Sequence, residues 1–279
     1  MAVLLGLLAA MSWGTGDFAG GMAARRAPET AVVFGTETIG LVLILAVAPF
    51  VSGTPTGTDL VLGGLAGLLG VAGLVLLYRG LAQGRASVVA PISAVGGAIL
   101  QVTWGLLSGE QPGTLALIGI FLALVAIGVV AGSADEPTDA TRMSRRTEVL
   151  CGLGAAVGFG FYLILISETS DGAGIWPAVV ARATPVIVLA VALPWLRRPL
   201  IPARPSFPMV TLSGITDAGA NVMLLIAVRQ GLLSVVGPVA NLYPAVTVLL
   251  ARALGHERIG RFRLAGLGLA VASLVLISL

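Results

Sequence analysis

The sequence predicts an all-α integral membrane protein: ten transmembrane helices, arranged as two inverted five-helix repeats around a central cavity. Three observations carry that expectation. Of the 279 residues, 57% are hydrophobic and only 10% are charged, whereas a soluble domain carries about a quarter charged. Apolar runs of about 20 residues follow one another along the whole chain, each long enough for the roughly 30 Å hydrocarbon layer at about 1.5 Å per residue. The chain also repeats itself, and its arginines fall almost entirely on alternate connections. No run is a short alternating strand of the kind a membrane barrel needs.

The repeat is clearest in the second part of each half. Segment 83–110, QGRASVVAPISAVGGAILQVTWGLLSGE, aligns without a gap on segment 230–257, QGLLSVVGPVANLYPAVTVLLARALGHE, at a shift of 147 positions with nine identities in 28. Gln83/Gln230, Gly84/Gly231, Ser87/Ser234, Pro91/Pro238 and Glu110/Glu257 are among them. The opening of each half echoes more faintly: GLLAAMSWGTG from Gly6 resembles GLGAAVGFGFY from Gly152, with Trp13 answered by Phe159 and Gly14 by Gly160. Duplication is settled before elements are assigned, because a repeat fixes the architecture.

In order, the first half gives spans at about 2–22, 31–51, 59–79, 87–107 and 112–132, and the second at about 148–168, 175–196, 208–228, 234–254 and 260–279. The expected units are 1–133, a polar linker 134–147 and 148–279. The first span has no basic residue ahead of it and reads as a helix, not a cleavable signal. The 38 glycines read as helix contacts, since small residues let backbones approach closely in lipid.

The chain has no lysine, and 14 of its 16 arginines fall on odd-numbered connections. Arg25, Arg26, Arg79, Arg85, Arg142, Arg145, Arg146, Arg197, Arg198, Arg204, Arg252, Arg258, Arg261 and Arg263 make up that set; even connections hold only Arg229. The positive-inside rule then places both termini outside a cell membrane, inner or plasma, crossed many times. Five spans per half invert one half against the other, an arrangement that puts solute sites near the midplane. The net charge of +3 belongs to these loops and carries no nucleic-acid signal. With one cysteine, Cys151, there is no intramolecular disulfide, and neither a metal nor another cofactor is expected.

Trp13-Gly14, the two aligned segments, and the Gly109-Glu110 and His256-Glu257 pairs that close them resemble the drug/metabolite transporter superfamily, specifically EamA-like ten-helix proteins. The resemblance covers essentially the whole chain. It implies inverted repeats around a central cavity and alternating access for small metabolites, often by export. The family is usually described with both termini in the cytoplasm, the reverse of what the arginines here indicate.

Charged groups well inside apolar spans are costly, about 2.5–3.5 kcal/mol each at a helix centre. Asp17, Glu37, Arg182 and Asp217 stand there. Glu37 and Arg182 are near-symmetric about the midplane, so their side chains can meet. One reading is a solute or proton site with three acids and one cationic partner; the other is an internal Glu37–Arg182 pair with Asp17 capping a helix end. A carboxyl in a low-dielectric cavity resists ionisation, which suits proton exchange. Asn221 follows Asp217 by one turn and shares its face; it and Asn241 serve either a solute or a neighbouring helix. Trp13, Trp104, Tyr162 and Tyr243 are candidate cavity aromatics, while Trp176 and Trp195 sit at span ends as interface anchors. Pro91, Pro238 and Pro244 are expected to interrupt their helices. Gln83, Gln230, Glu110 and Glu257 are expected at helix ends and His256 in a loop.

HExxH, P-loop, paired-cysteine and Gly-x-Ser-x-Gly signatures are all missing from the sequence. The leading expectation is a secondary carrier of small organic solutes, amino acids or cationic compounds, with protons as a coupling option and a monomer as the unit, since two fused halves complete a site. An integral-membrane enzyme acting on lipid and a non-transporting scaffold are the competing classes.

Overall fold

The structure, a computed structural model, describes residues 1–109, 113–132, 143–254 and 260–278. The described residues form helices and connections and contain no strand. In the first half lie α1 (Ala2–Ala24), α2 (Glu29–Val47), α3 (Gly57–Gln83), α4 (Ala86–Leu107) and α5 (Thr114–Gly132). In the second lie α6 (Arg145–Ser167), α7 (Trp176–Trp195), α8 (Phe207–Gln230), α9 (Leu233–Ala240), α10 (Tyr243–Ala253) and α11 (Arg261–Ser278). Seven of these, α1 to α4 and α6 to α8, are long and apolar enough to cross a membrane.

The ninth expected span is two helices, α9 and α10. At the junction the Asn241 backbone N–H and side-chain amide both donate to the Gly237 carbonyl, at 2.9 and 2.8 Å, and α9 ends there. Pro244, in the first turn of α10, has no N–H for the carbonyl one turn back. Pro91 behaves differently from expectation: α4 runs unbroken through it, and the residues just before it, Val88, Val89 and Ala90, have no polar side chain to compete for the backbone. Pro238 too lies within a helix, α9, which ends two residues later at Ala240; its side chain lies outside the described residues, as do Glu110, His256, Glu257, Arg258 and linker residues 134–142. Arg79 sits inside α3 rather than in the connection after it, because α3 extends to Gln83.

The helices are inside-out relative to soluble ones. On α1 the buried positions apart from Asp17 are small, among them Gly6, Ala9, Ala10, Gly14, Gly16, Gly20 and Gly21, while Leu4, Leu7, Leu8 and Met11 face outward. Small-residue faces bring backbones together and leave bulky side chains to the lipid. Trp195, expected as an anchor, is 84% exposed at the end of α7; Trp176 opens that helix half-buried.

The halves interlock through equivalent helix pairs. α1 packs most extensively on α8 and α6 on α3, α2 meets α7, and α5 meets α11. Contacts fix direction: Ser12 reaches the Thr216 carbonyl and Ser206 the Ala23 carbonyl, so α1 and α8 run antiparallel. Asp59 with Ser170 at one end, and Arg85 with Glu148 at the other, make α3 and α6 antiparallel too.

These end contacts are where the repeat is least symmetric. Asp59 forms a capping box with Thr56 and accepts the Ser170 N–H and hydroxyl at 2.7 and 2.8 Å. The equivalent pair one repeat away, Ser206 and Ala23, keeps a single 3.4 Å contact. At the opposite end, fully buried Glu148 accepts from the Arg85 backbone at 3.0 Å and from its guanidinium Nε at 2.9 Å. Its equivalents are Leu232 and Met1, which cannot pair. Asp59–Ser170 and Arg85–Glu148 are thus polar clasps that join the halves without an equally strong counterpart one repeat away.

Candidate functional site

Between the halves lies a cavity of about 640 Å³, its open mouth included. Trp13 and Asp17 reach it from α1, Glu37 from α2, Tyr162 from α6, Arg182 from α7, Asp217 and Asn221 from α8, Asn241 from the α9–α10 junction and Tyr243 from the start of α10. Nine of the ten sequence-derived cavity candidates thus line one cavity, Trp104 being the exception.

Arg182 is the hub. Its Nη1 donates to Glu37 Oε2 at 3.1 Å and its Nη2 to Asp217 Oδ2. The residue is only 4% exposed, and a buried ion needs such partners. Room for the guanidinium comes from α2, where a Cβ on Gly40 would touch Arg182 Cδ at 3.1 Å. From Asp217 the network continues: Asn221 Nδ2 donates to the Asp217 carbonyl at 2.8 Å and to its carboxylate at 3.3 Å, and Tyr162 donates its hydroxyl to Asn221 Oδ1 at 2.6 Å. Five residues on four helices from both halves form one chain of polar contacts.

Asp17 stands outside that chain. It is 6% exposed, lines the cavity from the middle of α1, and has no hydrogen-bond or ion-pair partner among the described residues. The capping role does not hold, since the helix continues seven residues past it to Ala24. Tyr243 donates to Ser93 at 2.8 Å, fixing its ring at the wall. Asn241 donates to Gln101 Oε1 at 2.9 Å; the buried Gln101 Nε2 has no partner among the described residues.

Trp104 is a correction. It does not line the cavity; its indole N–H donates to Glu168 at 2.9 Å, because the end of α4 carries it past the cavity to the end of α6. The residues that sequence reasoning missed are apolar: Gly67, Gly70, Val71 and Leu74 of α3, Phe159 and Leu163 of α6, and Ala181 of α7. One signal was available, since the repeat alignment pairs Phe159 with Trp13. Among the described residues no cluster of His, Cys, Asp and Glu could hold a metal ion.

No curated protein matches the chain. A solved crystal structure superposes on it with a TM-score of 0.70, covering 100% of this chain and 98% of the other at 18% identity; that likeness is one of fold. The profile of the EamA-like transporter family matches twice, over residues 1–132 and 146–279, once for each half of the architecture described above. The chain belongs to the EamA-like transporter family, a membrane protein built from two copies of that family's repeat.

Proposed function

We propose that this protein is a secondary-active carrier that exports small organic metabolites, amino acids or cationic compounds, by alternating access around the interface cavity, with protons as the coupling ion. The observation that carries the reading is the five-residue polar network together with Asp17, held inside an apolar bundle at the junction of two repeats. Charges are placed there at a cost that packing alone would not require. In this proposal the halves are inverted five-helix units, 1–133 and 148–279, joined by the linker 134–147. The antiparallel pairing of α1 with α8 and of α3 with α6 supports the inversion, and the clasps at the two faces are the contacts that rocking would exchange. Both termini lie outside, as the arginine pattern indicates, and the unit is a monomer because one chain encloses the cavity.

The test uses proteoliposomes with a trapped pH dye and an imposed pH gradient, challenged with amino acids and permanently charged ammonium compounds. At least one solute is expected to collapse the gradient faster than in protein-free vesicles, and Asp217→Asn is expected to abolish that effect. Solute counterflow without proton movement would remove the coupling. Absence of any saturable flux would remove the carrier reading.

A further inference from the structure

We infer that the cavity selects an organic cation, an ammonium group seated on the Asp17 carboxylate, and disfavours solutes that carry a carboxylate. This rests on reading the cavity as the solute path and narrows the class of solute that path accepts.

The argument begins with which charges are already committed. Among the described residues Arg182 is the only cationic side chain lining the cavity, and its two terminal nitrogens are taken by Glu37 and Asp217. An incoming carboxylate would have to displace one of them and leave it buried without its partner, which is unfavourable. Asp17 presents the opposite situation. Its carboxylate faces the cavity, more than nine-tenths of the residue is buried, and none of the described residues donates to it. With three acids and one arginine on the wall, the complement that the site lacks is positive.

The surroundings fit an ammonium rather than a hydrated metal ion. Trp13 lies one helical turn before Asp17 and on the same side of α1, and both line the cavity with Phe159, Tyr162 and Tyr243. Aromatic faces attract organic cations. Among the described residues no cluster of His, Cys, Asp and Glu could hold a metal ion, and Glu37 and Asp217 already serve Arg182. Tyr162 and Tyr243 spend their hydroxyls on Asn221 and Ser93, leaving ring faces for the solute.

Three probes that share a phenethyl framework separate the possibilities: phenethylammonium, phenylalanine and 3-phenylpropionate. Binding to the purified full chain is measured by titration calorimetry, with quenching of tryptophan fluorescence as a second readout. Saturable binding in the order phenethylammonium, phenylalanine, 3-phenylpropionate is expected. Asp17→Asn should weaken phenethylammonium roughly tenfold or more, the loss expected for one contact to a charged group. Asp17→Glu, which keeps the charge, should retain binding and guards against a variant that merely misfolds. Equal or tighter binding of phenylalanine or 3-phenylpropionate would overturn the cation preference and leave the carrier reading standing. An Asp17→Asn protein with undiminished phenethylammonium affinity would show that Asp17 does not seat the cation, and would also overturn it. If folded wild-type protein binds none of the three saturably, the inference fails; if it also shows no flux of any solute in vesicles, the carrier reading fails with it.

Discussion

Exchanging Arg182 for methionine is expected to be the most damaging single change in the cavity. It leaves Glu37 and Asp217 buried without the guanidinium that both share. Removing one partner of a buried pair costs about 3–5 kcal/mol, and here two acids lose theirs together. Purified Arg182→Met should show a fall of many degrees in apparent melting temperature and no solute flux. The triple variant Glu37→Gln, Arg182→Met, Asp217→Asn should regain most of the stability, because replacing a whole buried ionic group is far cheaper than breaking it, yet remain inactive. A single variant as stable as wild type would show that the network does not hold the halves together.

The second large effect is expected at Gly67. This residue lines the cavity, and α3 and α7 cross there so closely that a Cβ would meet the Ala181 carbonyl carbon at 2.8 Å and its Cα at 2.9 Å. The neighbouring contact is of the same kind, with Gly63 set against the backbone of Pro177. The obstacle is backbone, which cannot swing aside as a flexible side chain would. Gly67→Ala should therefore force the two helices apart, at about 1–3 kcal/mol for an overpacked contact, and shift Arg182, the residue after Ala181. Lower thermal stability with weakened solute binding is expected. A Gly67→Ala protein matching wild type in both would show that the close crossing does not shape the site.

Those two positions also show what a single sequence can and cannot reveal. Arg182, Glu37, Asp17 and Asp217 were legible because a charge inside an apolar run is costly wherever it points, so its presence alone marks a protein-lined interior. Asn221 was legible through its one-turn spacing from Asp217. Gly67, Val71, Leu74 and Leu163 were not, because in a membrane protein an apolar residue is equally at home against lipid, a neighbouring helix or a cavity. Periodicity cannot help when every face is apolar. α4 and α9 both contain the equivalent proline, Pro91 or Pro238, so that residue did not mark the α9–α10 break; Pro244, which the repeat pairs with Gly97, stands just after it. Arg85 read as a topology marker in a loop, and nothing in its local sequence pointed to Glu148, 63 positions away, as its buried partner.

The central claim is that solute passes through the cavity between the halves, and blocking that cavity without unfolding the protein tests it most directly. Val71 lines it from α3, and Val71→Trp would place an indole in the path. Counterflow of radiolabelled amino acids and ammonium compounds is measured in vesicles holding wild type or the plugged variant, each first confirmed as monodisperse. Saturable counterflow by wild type and its loss in Val71→Trp is the expected result; wild-type counterflow through a folded, plugged protein would contradict it.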